Sequence, residues 1–199
     1  MNFNRRHFMA AAAASSAALV TPRAFATPIN DQRPELLGQA MAALDKHNPK
    51  IVKRDIIGIV DFRAASGQKR MQLVDLGNGR VVDNFLVSHG KGSDPGHTGW
   101  VKTFSNRPGS NASSRGSYLT GEAYYGKHGR SLRLHGLDPE NDLAYPRAIV
   151  IHGANYVDAA MARSRGRIGR SLGCFAFEQG EIGTVLERLG PGRLLFAYQ

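Results

Sequence analysis

From Ile56 onward the chain is cut into short apolar runs separated by turn formers, and that rhythm restricts it to a fold built mainly from strands. Ile56 to Phe62 is one such run. Arg70 to Leu76 alternates, with Met71 and Leu73 on the apolar side, and Arg80 to Ser88 returns as its partner. Between them stands Asn78-Gly79, a strong hairpin signal because both central residues of a type I′ turn need positive φ. Further strands are expected at Ser117 to Gly121, Ser131 to Leu137, Arg147 to His152, Cys174 to Phe177 and Arg193 to Tyr198. Helical spacing is confined to three places. One helix begins at Pro34-Glu35 and stops before Asn48-Pro49; the others cover Tyr156 to Arg163 and Glu178 to Leu189. His89 to Arg115 is a long stretch rich in Gly, Ser, Asn and Pro, of the kind found in functional or disordered segments. With no internal repeat in 199 residues, the expected fold is one mostly β (α+β) domain with a few peripheral helices.

The N-terminus differs in character. Arg5-Arg6-His7-Phe8 precedes an Ala-rich run from Ala10 to Val20, and Ala24-Phe25-Ala26 offers an Ala-x-Ala cleavage site. A charged head, a short apolar middle and small residues at the exit define an export signal over residues 1–26. The paired arginines resemble a twin-arginine signal, although Ala10 stands where its usual lysine would be, so the general secretory route is also open. Residues 27–50 then read as a leader and N-terminal helix, and 51–199 as the main folded domain. No apolar run is long enough to span a membrane, and no stable membrane insertion is expected. The signal holds Arg5, Arg6 and Arg23 and no acid, which leaves +7 of the formal +10 charge on the remainder. No nucleic-acid motif accompanies that charge, and an exported protein meets cell-wall carboxylates first, so no nucleic-acid partner is expected. The destination expected is the periplasm. The oligomeric state is not legible.

An exported protein with one cysteine, Cys174, cannot close an internal disulfide, so the thiol is either reactive or simply buried. Its context favours chemistry. Ile149-Val150-Ile151-His152-Gly153 reads as a buried strand ending in a histidine, and Gly169 to Phe177 carries the thiol at the start of another. Imidazole is the usual base for a nucleophilic thiol. Rival motifs fare worse. Gly169-x-Ser171-x-Gly173 matches a nucleophile elbow, but no histidine follows it. Ser88-His89-Gly90-Lys91 matches Ser-x-x-Lys, without its distant Lys-Thr-Gly. Zinc is the stronger rival, since His89, His97, His128, His135 and His152 would all be available. None of them shows ligand spacing, so convergence would have to come entirely from the fold.

His152-Gly153, about twenty residues, and then Ser171-x-Gly173-Cys174 resembles the YkuD-type murein L,D-transpeptidases, and in particular their murein L,D-transpeptidase catalytic domain branch. Leu172 departs from the histidine found there in the broader family and resembles this branch. The likeness extends from about Ile56 to the C-terminus, through Ser88-His89-Gly90-Lys91-Gly92, Phe104-Ser105-Asn106, Gly121-Glu122-Ala123-Tyr124 and Gly126-Lys127-His128-Gly129. It implies a β-sandwich of mixed strands acting on peptidoglycan stem peptides without metal or organic cofactor. It also implies cleavage of the diaminopimelate–D-Ala bond and formation of 3-3 cross-links. Carried over residue by residue, Cys174 is the nucleophile and His152 its base and later acid. Backbone N–H groups around Leu172, Gly173 and Cys174 would hold the oxyanion, Ser171 would brace the loop, and the Gly153 carbonyl would orient the imidazole. Arg170, His89, His135 and Tyr124 are candidates for contacting substrate. Water in place of the acceptor amine would give a carboxypeptidase or endopeptidase from the same residues. A non-catalytic wall-binding module with a buried Cys174 is the reading of a different class.

Overall fold

A computed structural model describes residues 35–199; the expected export signal and the start of the leader lie outside them. Eight strands form one mixed sheet: β1 (Ile56–Asp61), β2 (Met71–Asp75), β3 (Arg80–Phe85), β4 (Gly116–Gly126), β5 (Gly129–Gly136), β6 (Val150–Gly153), β7 (Phe175–Phe177) and β8 (Leu194–Tyr198). Their order is β3-β2-β1-β8-β4-β5-β6-β7, with β1/β8 and β6/β7 parallel and the other pairs antiparallel. The fold is therefore mostly β, as the short apolar runs require.

The sheet curls until its edges meet. Phe85 on β3 and Phe177 on β7 stand edge to face at 6.2 Å, and Ser88 donates from its backbone N–H to the Ala176 carbonyl at 2.9 Å. Between the facing halves lies the main core, where Phe62, Tyr118, Phe175, Met71, Leu132 and Ile151 are fully enclosed. The helix α3 (Ile182–Leu189) adds Val185, Leu186 and Leu189 to it. On the outer face, α1 (Leu37–Lys46) lays Ala40 and Leu44 over Ile57, Ile59, Val74 and Leu194. That covering helix explains why β1 reads as a continuous apolar run rather than an alternating one: it is buried on both faces.

Several boundaries differ from those expected, each for a local reason. The helix α2 (Ala159–Arg165) starts later than Tyr156 because Asp158 caps it, accepting from Met161 N–H at 2.6 Å. It stops at Gly166, which takes a left-handed φ of 64°. The Asn78-Gly79 turn is not type I′, since of the two only Gly79 has positive φ. Asp75 pairs with Arg80 and its carboxylate takes the Gly77 N–H at 2.8 Å, which shapes a four-residue loop instead. The largest difference is β4, which runs on to Gly126 and turns through only Lys127 and His128 into β5. This second hairpin projects from the sheet beside β6.

Candidate active site

Parallel pairing of β6 with β7 sets His152 opposite Ala176 and Ile151 opposite Phe175. A strand period of two then brings Cys174, two residues before Ala176, beside Val150, two residues before His152. The Val150 N–H faces the Cys174 sulfur. The half-buried thiol donates to the Ala148 carbonyl at 3.5 Å. Ala148 holds a φ of 53°, an unusual conformation for a residue with a Cβ, and this turns the chain just before β6 at the thiol.

The segment carrying Cys174 is fastened from below. Gly90 forms a β-bridge with Ser171: the Ser171 N–H donates to the His89 carbonyl and the Lys91 N–H to the Ser171 carbonyl, both at 2.9 Å. A Cβ on Gly90 would fall 2.8 Å from the Gly173 nitrogen and 2.3 Å from the Asn111 carbonyl oxygen, so glycine is needed for the approach. Ser171 Oγ donates to the Cys174 carbonyl at 2.7 Å and accepts from the Gly173 N–H at 3.1 Å. Gly173 itself has a φ of 119°, which glycine alone tolerates. From the far side Ser113 Oγ donates to the Gly173 carbonyl at 3.2 Å.

His152 is 2% exposed. Its Nδ1 lies 2.9 Å from the Gly153 carbonyl, which can only accept, so Nδ1 carries the proton and Nε2 keeps its lone pair. Over the ring lies His128 from the β4–β5 turn, stacked at 4.1 Å between centroids and 22° between planes. Both groups of the pair favour their neutral forms. Burial pushes the thiol up, opposed by the Val150 N–H and the charges of Lys127 and Arg147. Burial pushes the His152 imidazole down, the Gly153 carbonyl opposing and His128 and Lys127 adding to it. Arg147 is tied to the Ser105 and Ala112 carbonyls at 2.8 and 2.6 Å and to Ser110 Oγ at 3.3 Å. These residues surround a cleft of about 330 Å³ whose charged side chains are Lys127, Arg147 and Arg170, with no acid among its lining residues.

The other site candidates divide. Tyr124 lines the cleft with Arg133 over its ring at 4.4 Å, and Leu172 is exposed at its mouth. Arg170 reaches the cleft wall, but its guanidinium donates to the Asp94 and Pro95 carbonyls, so its first task is holding the loop. Of the proposed oxyanion donors, the Gly173 N–H is already committed to Ser171 Oγ, which leaves those of Leu172 and Cys174.

His89 does not line the cleft. It is fully buried, with Nδ1 2.8 Å from Arg70 Nη2 and Nε2 3.4 Å from Asp94 Oδ2. Because guanidinium only donates, Nδ1 accepts and the proton sits on Nε2, the opposite tautomer to His152. His135 is displaced as well, stacked on Tyr145 at 4.7 Å and 3.9 Å from Glu122, outside the cleft lining. Neither position could be foreseen, because a strand-end histidine looks alike in sequence whichever way its strand is turned. His97 is turned away to the Ile168 carbonyl, and among the described residues no three His, Cys, Asp or Glu side chains converge as metal ligands. Lys127, Arg147 and Ala148 also line the cleft, which their local sequence does not foretell. The spacing Gly126-x-x-Gly129 between two strands is the signal that could have placed Lys127 and His128.

Fold and cleft together describe a sheet domain with a thiol and an imidazole facing one cleft from two neighbouring parallel strands. The L,D-transpeptidase catalytic domain profile matches residues 29–198, and the chain belongs to that family, whose members act on peptidoglycan. Similar solved structures include an L,D-transpeptidase from Mycobacterium smegmatis, at 12% identity and a TM-score of 0.46, covering 73% of this chain and 59% of that one. Another is the L,D-transpeptidase from Xylanimonas cellulosilytica, at 17% identity and a TM-score of 0.41, covering 80% of this chain and 69% of that one. The chain thus spans about 59% of the length of the first of these. A search of curated proteins finds no match.

Proposed function

We propose that this protein is a periplasmic cysteine L,D-transpeptidase, exported by a signal over residues 1–26, with residues 27–50 as leader and helix and 51–199 as catalytic domain. The observation that carries the reading is the shared cleft of Cys174 and His152, in which the Gly153 carbonyl leaves Nε2 of the imidazole free to accept a proton. Cys174 Sγ gives its proton to His152 and attacks the carbonyl carbon of the diaminopimelate–D-Ala bond. The resulting oxyanion meets the backbone N–H groups of Leu172 and Cys174. Its collapse breaks the C–N bond, His152 returns the proton to the departing D-Ala amine, and a thioester remains on Cys174. An amine of a second stem then attacks the thioester, losing its proton to His152. The C–S bond breaks, the thiol is reprotonated and a 3-3 cross-link is formed. The cationic, acid-free lining suits stems that carry carboxylates.

The test is mass spectrometry of the mature protein incubated with disaccharide-tetrapeptide muropeptides. A thioester on Cys174 with 3-3 dimers supports transpeptidation. An adduct yielding only tripeptide and free D-Ala reassigns the protein as an L,D-carboxypeptidase. Unchanged muropeptides with an unmodified Cys174, together with sacculus binding retained by Cys174→Ala, would leave a wall-binding module.

A further inference from the structure

Nδ1 of His152 is held by a hydrogen bond to the Gly153 carbonyl, which fixes one ring atom but does not by itself set the plane of the ring. A base must present its lone pair to the thiol within a narrow angle, and a misplacement of an ångström costs on the order of a hundredfold in rate. That plane is set by what packs against the faces of the ring. Stacked on one face is the His128 imidazole, 4.1 Å away and nearly parallel, on the two-residue turn of the β4–β5 hairpin. His128 is itself exposed on its outer side, while His152 beneath it is 2% exposed. The turn is short and pinned on either side by the Gly126–Gly129 pair, so the ring is presented by a stiff support rather than by a floppy loop.

We infer that His128 is a positioning residue: its flat ring clamps the face of His152, completes with the Gly153 carbonyl the orientation of the base, and shields that base from water. The role belongs to the stacking plane and not to imidazole proton transfer. The inference rests on the assignment of Cys174 and His152 as nucleophile and base.

The test measures steady-state cross-linking of disaccharide-tetrapeptide muropeptides for wild type, H128A, H128F, H152A and C174A. Because position 128 sits at an exposed turn, both variants there should keep the wild-type melting temperature. H128A should lose roughly tenfold in kcat with KM within about twofold, a displaced base and not lost substrate binding. H128F, which keeps a flat ring but cannot carry a proton, should recover most of that loss. An H128A enzyme with wild-type kcat overturns the inference, and so does an H128F enzyme as slow as H128A. The underlying assignment fails separately: C174A or H152A retaining turnover would sink it whatever position 128 does.

Discussion

Ser171 and Cys174 are joined by a 2.7 Å hydrogen bond from the serine hydroxyl to the cysteine carbonyl, which closes the turn that presents the thiol. The same oxygen accepts the Gly173 N–H at 3.1 Å. Ser171→Ala removes both contacts at a position that is 4% exposed, which should cost about 1–3 kcal/mol of stability. Thermal denaturation should show the loss, and turnover should fall further than the fraction unfolded explains, because the freed Gly173 N–H and Cys174 carbonyl let the turn open. An S171A enzyme with unaltered stability and kcat/KM would mean that Ser171 plays no bracing part.

Opposite shifts on Cys174 and His152 set the pH behaviour of the resting site. Burial raises the thiol above its ordinary 9.0 and lowers the imidazole below its ordinary 6.5, so near neutral pH both are uncharged. Alkylation of the free enzyme by iodoacetamide should therefore reach its midpoint above 9.0. The acid limb of kcat/KM, where His152 becomes protonated, should fall below pH 6.5. An alkylation midpoint on the acid side of neutrality would show a resting thiolate–imidazolium pair instead.

Beneath the site, His89 is buried between Arg70 and Asp94, and burial beside the guanidinium pushes its imidazole down to about 4. The unfolded chain takes up this proton near pH 6.5 while the folded one resists, so stability rises with pH between those limits. His89 thus contributes fully above pH 6.5, and that contribution drains away as the pH falls towards 4. Denaturation midpoints measured from pH 7 down to 4 should decline, and His89→Gln should flatten the slope in that interval. Asp138 and Asp55, both held down at about 2, lose their contributions only below the ordinary carboxylate value of 3.8, so the two windows can be separated. A slope unchanged in H89Q would rule out His89 as its source.

Arg147 fastens the loop behind Cys174 through the Ser105 and Ala112 carbonyls and also supplies positive field to the sulfur. Arg147→Ala should destabilise by about 2–3 kcal/mol, since two acceptors of charge-assisted bonds lose their donor. It should also raise the thiol pKa further. Arg147→Lys keeps the charge without the fork, so it should restore the thiol titration more fully than the melting temperature. If R147K restores both equally, the guanidinium geometry is irrelevant here.

The sequence by itself determined the strand-dominated class, the places of most elements and the two residues around which chemistry can be built. Short apolar runs and turn formers act locally, and Cys174 and His152 stood out because one is the sole thiol and the other ends an apolar strand. Local rules also failed locally: Asp75 and Asp158, each through its carboxylate, overrode the expected turn and the expected helix start. What only the tertiary structure decided was the company these residues keep. His89 and His135 carry the same side chain as His152, yet Arg70 and Asp94 enclose the first and Tyr145 holds the second outside the cleft. His128, 24 positions from His152 in the chain, lies on its ring because the β4–β5 hairpin and β6 share a sheet. Ionisation, ring orientation and access depend on burial and on partners distant in sequence, and those are fixed only when the sheet curls and its edges close.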